Sequence, residues 1–368
     1  MGTLVLLDRL SIGGAERHAA QLSRRLPELG CEIILAVYLD VIAQNFPKVE
    51  LPTALTELRQ RSFIDPRGWW QLGNYISESN VSLVLAVNQS ALVVAVISRL
   101  LGFHRAKVVC LFHTTIVASL SGRLRLPIFY WAVARSDGVI FVSKNQAAYW
   151  LGRNLPVLRS TTIQNGVDID MFALPSPGER QEARSALGLP PEAFVICLCA
   201  RFAPEKNHRD LIEAVRLLRL RGVDARALFV GGGPLQEALE RFSDEHGVKG
   251  AIVFCGQQQD VRPFLWAADT FAMTSLSVET FSLAALEAMA TGLPTVLSDI
   301  GGASEIVSEG ETGFLFPPGD TAALTDRLNQ LAAKDLSKAM GSSARNRVVE
   351  NFSIQRMLGE FYRFLDHA

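Results

Sequence analysis

The sequence predicts an α/β fold made of two doubly wound domains, each a parallel sheet covered by helices on both faces. Short β-rich runs alternate with amphipathic helical patterns in the first half of the chain, which is typical of such sheets. The alternation starts again after Asp168, and 49% of the 368 residues are hydrophobic, as buried parallel strands require. A chain of this length provides two cores, so we expect one domain at 1–172 and a second at 173–352.

The first domain is predicted to alternate helices and strands. Amphipathic patterns predict helices at Ala15–Leu29 and Pro66–Ser79, and a third that ends at Leu101. Residues 40–65 contain Pro47 and Pro52, which break regular patterns, and receive no assignment. The β-rich runs predict strands at Thr3–Asp8, Glu32–Tyr38, Ser82–Asn88, Lys107–His113, Gly138–Ser143 and Thr161–Gln164.

The second domain follows a segment, Ala173–Arg180, whose Pro, Gly and Ser content predicts a linker. Helices are expected at Lys206–Leu220, at Thr321–Ala333 with Asp320 as its N-cap, and at about 353–366. Ligands of doubly wound sheets bind at the carboxyl ends of the strands, so a cleft there is the expected site. The predicted strands are Ala193–Ala200, Arg226–Val230, Ile252–Cys255, Thr270–Thr274 and Thr295–Leu297.

Composition excludes some classes of function. A formal net charge of −1 argues against general nucleic-acid binding, which requires a basic surplus. The N-terminus enters a strand without a basic leader or cleavage site, so we expect a cytoplasmic protein. The cysteines are odd in number and lie mostly in apolar runs, which favours reduced core thiols: Cys31, Cys110, Cys197, Cys199 and Cys255.

The most informative stretch is Ser275–Ile306. Glu279 lies in the loop before a predicted helix, and Glu287 follows eight residues later. The helix is expected to begin at Phe281, Ser282 and Leu283, whose backbone N–H groups and helix dipole suit a phosphate. A phosphate next to two carboxylates fits a nucleotide sugar, because carboxylates accept hydrogen bonds from sugar hydroxyls.

This stretch resembles the E-x7-E motif of the retaining glycosyltransferases of family 4, which have the GT-B fold of two Rossmann-like domains facing across a cleft. The family usually has Gly after the first Glu, where this chain has Thr280. Because a β-branched residue resists unusual backbone angles, this departure implies a different donor geometry or choice. The resemblance extends through Ala288, Met289, Ala290, Gly292, Pro294, Gly301, Gly302 and Glu305.

The resemblance implies a role for each carboxylate: Glu287 would bind ribose hydroxyls and Glu279 hydroxyls of the transferred sugar. Arg201 and Lys206 follow a predicted strand, where two cations indicate an anionic ligand, although solvated surface charge is the alternative. They match the family's G-R-x4-K pattern except at Ala200, and the family uses this pair on the diphosphate. The resemblance therefore implies that no metal cofactor is needed.

Three further turns match family motifs. Gly233 lies in Gly231-Gly232-Gly233-Pro234, which resembles the family's G-x-G-P, and Val261 lies in a segment that would read the base through backbone groups. Gly14 begins a helix in a G-G-A-E turn, which in the family lines the cleft near the donor phosphates. Ordinary turn chemistry is the alternative for both glycine turns.

His113 ends a strand of the first domain, where strand-end histidines are often structural. The family often has a His here near the transferred sugar, which implies a hydrogen bond to a sugar hydroxyl or stabilisation of developing charge. A role as general base is a second alternative. The resemblance also implies that Asn165–Asp168 is a hinge and that the last helix, 353–368, returns to the first domain.

We therefore predict a retaining, metal-independent glycosyltransferase that moves a hexose-type sugar from a nucleotide sugar to a glycan, lipid-linked or small-molecule acceptor. Thr280 and Ala200 keep a catalytically silent scaffold open as an alternative, and a sugar-nucleotide epimerase is a third. The segment Ser121–Arg135 carries Arg123, Arg125 and Arg135 among large apolar residues. It predicts either a peripheral contact with an anionic membrane surface or an internal helix with basic ends.

Overall fold

The computed structural model describes residues 2–10, 13–39, 55–60, 62, 64–115, 122, 124–277 and 279–366. The chain divides into two compact units. The first comprises Met1–Asn165 with Gln355–Ala368, and the second comprises Gly166–Ile354. The chain therefore leaves the first unit after Asn165 and re-enters it at Gln355.

The first unit contains a parallel sheet with the strand order β3-β2-β1-β4-β5-β6-β7 in the described residues. Its central strands carry runs of Val, Leu and Ile that are buried on both faces, as parallel sheets require. The strands are β1 Gly2–Leu7, β2 Glu32–Leu39, β3 Leu55–Gln60, β4 Val81–Val87, β5 Lys107–Phe112, β6 Gly138–Phe141 and β7 Ser160–Thr162.

Helices of the first unit connect these strands. They are α1 Gly14–Arg25, α2 Pro66–Glu78, α3 Asn88–Leu100, α4 Leu126–Val133 and α5 Lys144–Leu151. The predicted strand Ser82–Asn88 and the helix predicted to end at Leu101 correspond to β4 and α3. No helix in the described part of the chain combines the length and the apolar character that crossing a membrane would require.

The second unit contains a parallel sheet with the strand order β10-β9-β8-β11-β12-β13. The order reverses between β8 and β11, so the loops after these two strands lie next to each other at one edge of the sheet. The strands are β8 Phe194–Cys199, β9 Ala225–Val230, β10 Ile252–Gly256, β11 Thr270–Met273, β12 Thr295–Ser298 and β13 Gly313–Phe316.

The helices of the second unit connect its strands, and the last of them leads to the point where the chain re-enters the first unit. They are α6 Pro177–Ala186, α7 His208–Leu220, α8 Gln236–Glu245, α9 Arg262–Ala267, α10 Leu283–Ala290, α11 Ala303–Ile306, α12 Thr321–Leu331 and α13 Lys334–Asn351, followed by α14 Ile354–Asp366. As predicted, the side chain of Asp320 caps α12, where it accepts a hydrogen bond from the N–H of Ala323 at 2.9 Å.

The predicted linker is partly wrong, because α6 begins inside it at Pro177. Ser176 and Glu179 form a reciprocal capping box, in which each side chain accepts a hydrogen bond from the other residue's backbone N–H. Pro177 at the first helical position has the φ that a helix needs. The Pro, Gly and Ser residues that predicted a linker therefore form the start of a helix.

Other element boundaries also differ from the predictions. Helix α7 begins at His208 rather than Lys206, because Asn207 takes a left-handed conformation with φ of 44° after a short 3₁₀ turn. Strands β3 and β13 were not predicted from the sequence. Within the unassigned region, residues 40–54 lie outside the described part of the chain.

Candidate active site

The predicted cation Lys206 and the predicted carboxylate Glu279 form an ion pair in the second unit. Their Nζ and Oε2 atoms are 2.6 Å apart, and both side chains are largely buried. Lys206 follows β8 and Glu279 follows β11, so the strand order brings together two residues that are distant in sequence. A charge-assisted hydrogen bond with limited solvent access is among the stronger polar contacts in proteins.

Hydrogen bonds to backbone carbonyls join the loop after β11 to the loop after β8. The hydroxyl of Thr274 donates to the carbonyl of Lys206 at 2.9 Å, and the N–H of Leu276 donates to the carbonyl of Glu205 at 2.8 Å. Arg201, which is mostly exposed, donates to the Glu205 carboxylate at 2.7 Å. The predicted cations therefore lie on one loop, and that loop is hydrogen-bonded to the one that carries Glu279.

The glycine turn after β12, at Gly301 and Gly302, packs against the backbone of Glu279. Gly301 has φ of 57°, and a Cβ atom at this position would lie 1.7 Å from the carbonyl oxygen of Glu279. The N–H of Gly302 donates to the carbonyl of Thr280 at 2.9 Å. Only glycine allows this approach, so the glycine pair sets the path of the loop that carries the carboxylate.

Helix α10 begins two residues later than predicted. Ser282 is the N-cap, since its hydroxyl accepts a hydrogen bond from the N–H of Ala285, and Leu283 is the first helical residue. Phe281 lies before the helix with its side chain buried. Among the described residues, the N–H groups of Ser282 and Leu283 donate to no protein acceptor, so they remain available to an anion.

The remaining predicted residues of this stretch are Glu287 and Thr280. Glu287 lies on α10 with 3% of its surface exposed. Thr280 is absent from the residues with positive φ, so its backbone does not require glycine. The departure from the family pattern at Thr280 therefore causes no backbone strain.

The predicted glycine turn after β9 packs against the loop after β8. A Cβ atom at Gly233 would lie 2.5 Å from the carbonyl oxygen of Phe202, and φ of Gly233 is 154°. Phe202 in turn donates its N–H to the carbonyl of Gly232 at 2.9 Å. The carbonyl of Val261 accepts from the first turn of α9, and within the described residues its N–H donates to no protein acceptor.

In the first unit, the predicted residue His113 contacts His18, which lies on the helix that begins at the predicted residue Gly14. Gly14 begins α1, and a Cβ atom built on it would have no heavy atom within 4 Å, so this side of the turn is open. His18 lies one turn later in α1, and its Nδ1 atom is 3.0 Å from Nε2 of His113. The end of β5 and the start of α1 therefore meet at a pair of imidazoles.

His113 is held by its backbone as well as by its ring. Its N–H donates to Oδ1 of Asn88 at 2.9 Å, and Asn88 has φ of 64° at the start of α3. The surrounding protein desolvates the ring and lowers the pKa of His113 to about 3. Burial, and secondly the proximity of His113, also lowers the pKa of His18 well below its usual value. Both rings are therefore neutral at pH 7.

Two contacting residues, His18 and Glu205, were not predicted to belong to the site. The position of His18, one turn after a glycine turn, was a usable signal, because helix residues four apart share a face. Glu205 lies between the two predicted cations in sequence, where a carboxylate is a natural ion-pair partner. The Arg201–Glu205 pair lies within one loop and could have been predicted, whereas the His18–His113 contact depends on which strand ends are neighbours in the sheet.

Comparison with known protein families gives two matches that follow one another along the chain. Residues 12–171 match the family described as Glycosyltransferase Family 4. Residues 179–347 match the family described as Glycosyl transferases group 1. The first match contains β2 to β7 and the second contains β8 to β13.

Curated relatives include a GDP-mannose-dependent α-(1-6)-phosphatidylinositol monomannoside mannosyltransferase of Mycolicibacterium smegmatis. It is 35% identical over 254 residues, which cover 64% of this chain and 66% of that protein. A UDP-Gal:α-D-GlcNAc-diphosphoundecaprenol α-1,3-galactosyltransferase of Escherichia coli is 30% identical over 54% of this chain and 51% of its own. The matched part thus spans less than two thirds of these relatives.

Solved structures share this fold. HepE from Anabaena, crystallised with UDP, superimposes with a TM-score of 0.87 and 22% identity over 100% of both chains. Sucrose-phosphate synthase from Thermosynechococcus elongatus has a TM-score of 0.80 and 21% identity, again over 100% of both chains. The chain therefore belongs to the family 4 glycosyltransferases and has their GT-B fold of two Rossmann-like domains.

Proposed function

We propose that the protein transfers a hexose-type sugar from a nucleotide-sugar donor to a glycan, lipid-linked or small-molecule acceptor, with retention of anomeric configuration. The observation that carries this proposal is the Lys206–Glu279 pair beside the unused N–H groups of Ser282 and Leu283. Together these groups provide a cation and two amides for phosphate and a carboxylate for hydroxyls.

Each group of the second unit has a proposed role in donor binding. Arg201 and Lys206 hold the diphosphate together with the amides at the start of α10. Glu279 accepts hydrogen bonds from the transferred sugar, and Glu287, whose carboxylate is already desolvated, accepts them from the ribose. The turn at Gly233 and the N–H of Val261 lie along the nucleoside, where they contact the base through the backbone.

In the first unit, His113 is proposed to donate a hydrogen bond to the sugar, and the open side of Gly14 admits the phosphates. As the bond to the sugar breaks, negative charge develops on the diphosphate. Protein cations and amides fixed in advance stabilise this charge more effectively than mobile water. We therefore propose that transfer requires no metal cofactor, and we expect the rate to be unchanged by EDTA.

The donor and acceptor classes are suggested by the relatives. The mycobacterial relative is named for GDP-mannose and a phosphatidylinositol acceptor, and the Escherichia coli relative for UDP-galactose and a diphosphoundecaprenol acceptor. HepE has been crystallised with UDP-glucose. A screen of UDP-glucose, UDP-galactose and GDP-mannose for thermal stabilisation would identify the donor class, since a bound ligand stabilises the folded state.

A lipid-linked acceptor fits a surface near α4. In this helix Ile128 is 45% exposed, and Leu124 just before it is 74% exposed. The guanidinium of Arg135 lies 4.8 Å from the ring centre of Trp131, so cation and aromatic side chains are adjacent. We propose that this surface contacts an anionic membrane at the cytoplasmic face. Ser121 and Arg123 of the predicted segment lie outside the described residues.

The decisive variant is Lys206→Ala. Loss of a charge-assisted contact to phosphate is expected to weaken binding of the donor's nucleoside diphosphate and to lower transfer at least tenfold. Calorimetry and a transfer assay with product analysis by NMR measure both effects and the anomeric configuration. Lys249→Ala is the matched control, because Lys249 forms an exposed pair with Asp244 at 3.2 Å in the same unit.

Equal transfer by the Lys206→Ala and Lys249→Ala variants would contradict the proposal. Binding of a nucleotide sugar without any turnover would instead favour the catalytically silent scaffold. An epimerised donor in the absence of acceptor would indicate an epimerase. The unstrained backbone of Thr280 removes one reason for preferring the scaffold.

A further inference from the structure

We infer that His18 is a positioning residue that fixes His113 in the tautomer whose proton is on Nδ1. The inference concerns the first unit alone, and its consequence for catalysis depends on the function proposed above. It starts from the 3.0 Å contact between Nδ1 of His18 and Nε2 of His113. Because both imidazoles are neutral at pH 7, one of these two nitrogens must carry the proton and the other must accept it.

The surroundings of His18 decide between the two arrangements. Its side chain is fully buried, and its second nitrogen, Nε2, has no hydrogen-bond partner among the described residues. If His113 were the donor, His18 would carry its proton on Nε2 and bury an N–H without an acceptor. If His18 is the donor, only a bare lone pair is buried there, which costs less than an orphaned N–H.

The lower-cost arrangement has a consequence for His113. When Nδ1–H of His18 donates to Nε2 of His113, the lone pair on Nε2 is occupied and the proton of His113 must be on Nδ1. A neutral imidazole in this state offers a hydrogen-bond donor and no free basic nitrogen. The geometry therefore supports His113 as a donor to a sugar hydroxyl and opposes its role as a general base.

Packing makes His18 a fixed support. The ring of Phe361, a fully buried residue of α14, meets the His18 ring at 66° with 5.7 Å between ring centres. The rings of His18 and His113 meet edge to face, at 78° and 4.9 Å. His113 is thus held at its backbone by Asn88 and at its ring by His18, two independent contacts.

Nitrogen-15 NMR of the ligand-free full chain, labelled at histidine, tests the tautomer directly. At pH 7 the wild-type spectrum is expected to show a protonated Nδ1 and an unprotonated Nε2 for His113. His18→Leu is expected to give a mixture of the two tautomers. His18→Asn places an amide N–H near the position of the lost Nδ1–H and is expected to restore the wild-type pattern.

Sugar transfer provides the second measurement. His18→Leu is expected to lower kcat about tenfold, the equivalent of one hydrogen bond, without changing the donor KM, whereas His18→Asn retains most of kcat. His104→Leu is the control, because His104 is buried in the same unit and contacts the carbonyl of Ala95 instead of the site. It is expected to leave the His113 signals and kcat unchanged.

A protonated Nε2 on wild-type His113, or signals that ignore His18→Leu, would overturn the inference. An unchanged kcat in His18→Leu would overturn its catalytic consequence. If the spectra behave as expected but the wild-type protein transfers no sugar from any donor, the proposed function fails while the positioning of His113 stands.

Discussion

At the scale of single residues, the position of Glu279 depends on a backbone contact with Gly301. Gly301 lies against the carbonyl of Glu279, in a conformation that L-residues other than glycine avoid. Any Cβ atom there would displace the loop that carries the carboxylate. Gly310 has a similar φ of 76°, but a Cβ atom added to it would have no heavy atom within 4 Å. A comparison of alanine substitutions at the two glycines therefore separates the effect of backbone strain from the effect of displacing the loop.

Gly301→Ala is expected to lower sugar transfer by about a hundredfold, the effect of misplacing a substrate-positioning group by roughly 1 Å. Gly310→Ala is expected to lower the free energy of unfolding by about 1 kcal/mol and to leave transfer unchanged. Steady-state kinetics and thermal unfolding of both variants check this. Equal activity losses in the two would show that strain alone, and not the position of Glu279, is responsible.

His208 is another residue whose environment has a measurable effect. It is 1% exposed, and neither ring nitrogen has a hydrogen-bond partner among the described residues. It packs edge-on against Phe202 and Phe229 at 4.9 and 5.2 Å between ring centres. Burial, and secondly the charge of Lys206, lowers the pKa of His208 to about 4. The folded protein therefore resists protonation that the unfolded chain accepts at about pH 6.5.

The sign of the pH effect follows from this difference. The free energy of unfolding keeps its full value above about pH 6.5 and falls as the pH drops towards 4, because only the unfolded state gains the proton on His208. His208 alone is expected to remove about 2 kcal/mol from the free energy of unfolding between pH 7 and pH 5. Hydrogen exchange in peptides from β8 and β9 measures it, and in His208→Phe this part of the pH dependence should disappear.

At the scale of elements, the capping box of α6 decides where the second unit begins its first helix. This helix carries Arg180 and Arg184, whose guanidinium groups both bind the Asp269 carboxylate, at 2.6 and 2.7 Å. Asp269 also accepts the N–H of Val195 at 2.8 Å, so the helix is tied to the start of β8 and of β11. A shift of the helix start would therefore disturb a partly buried charge network.

Ser176→Ala removes the side-chain cap and is expected to lower the free energy of unfolding of the second unit by about 1 kcal/mol. Denaturant unfolding followed by hydrogen exchange checks this. Ser342→Ala is the matched control, since the Ser342 hydroxyl donates to the Lys338 carbonyl on an exposed part of α13 and caps nothing. A loss of similar size in both variants would argue against the capping box as the cause.

At the scale of the whole molecule, the first unit depends on a helix from the far end of the sequence. Four residues of α14 within this unit are buried apolar side chains: Met357, Leu358, Phe361 and Leu365. Burying four such side chains contributes on the order of 8 kcal/mol, which is as large as the stability of a typical domain. The first unit is therefore not expected to fold stably without α14.

A chain that ends at Ile354 is expected to lose the cooperative unfolding transition of the first unit and to keep that of the second. Tryptophan fluorescence is a suitable probe, because Trp69, Trp70, Trp131 and Trp150 belong to the first unit and Trp266 to the second. A chain that ends at Asp366 is the control. Retention of the first transition in the shorter chain would contradict the predicted dependence on α14.

Some features at each of these scales could be predicted from the sequence, and others could not. Strands such as β1 and β8 were predicted correctly because buried parallel strands are continuous apolar runs, whereas the edge strand β13 is short and begins at Gly313. Motif residues such as Lys206 and Glu279 could be named from spacing and resemblance. Their ion pair could not be predicted, because it depends on the neighbouring positions of β8 and β11 in the sheet.

The return of α14 to the first unit also constrains how the protein is made. On the ribosome, every residue of the second unit is synthesised before Gln355, so that unit has its complete sequence first. The first unit starts earlier but lacks a helix until translation has passed residue 366. Until then His18 lacks the aromatic ring of Phe361, so the packing around the imidazole pair is among the last features that a nascent chain can complete.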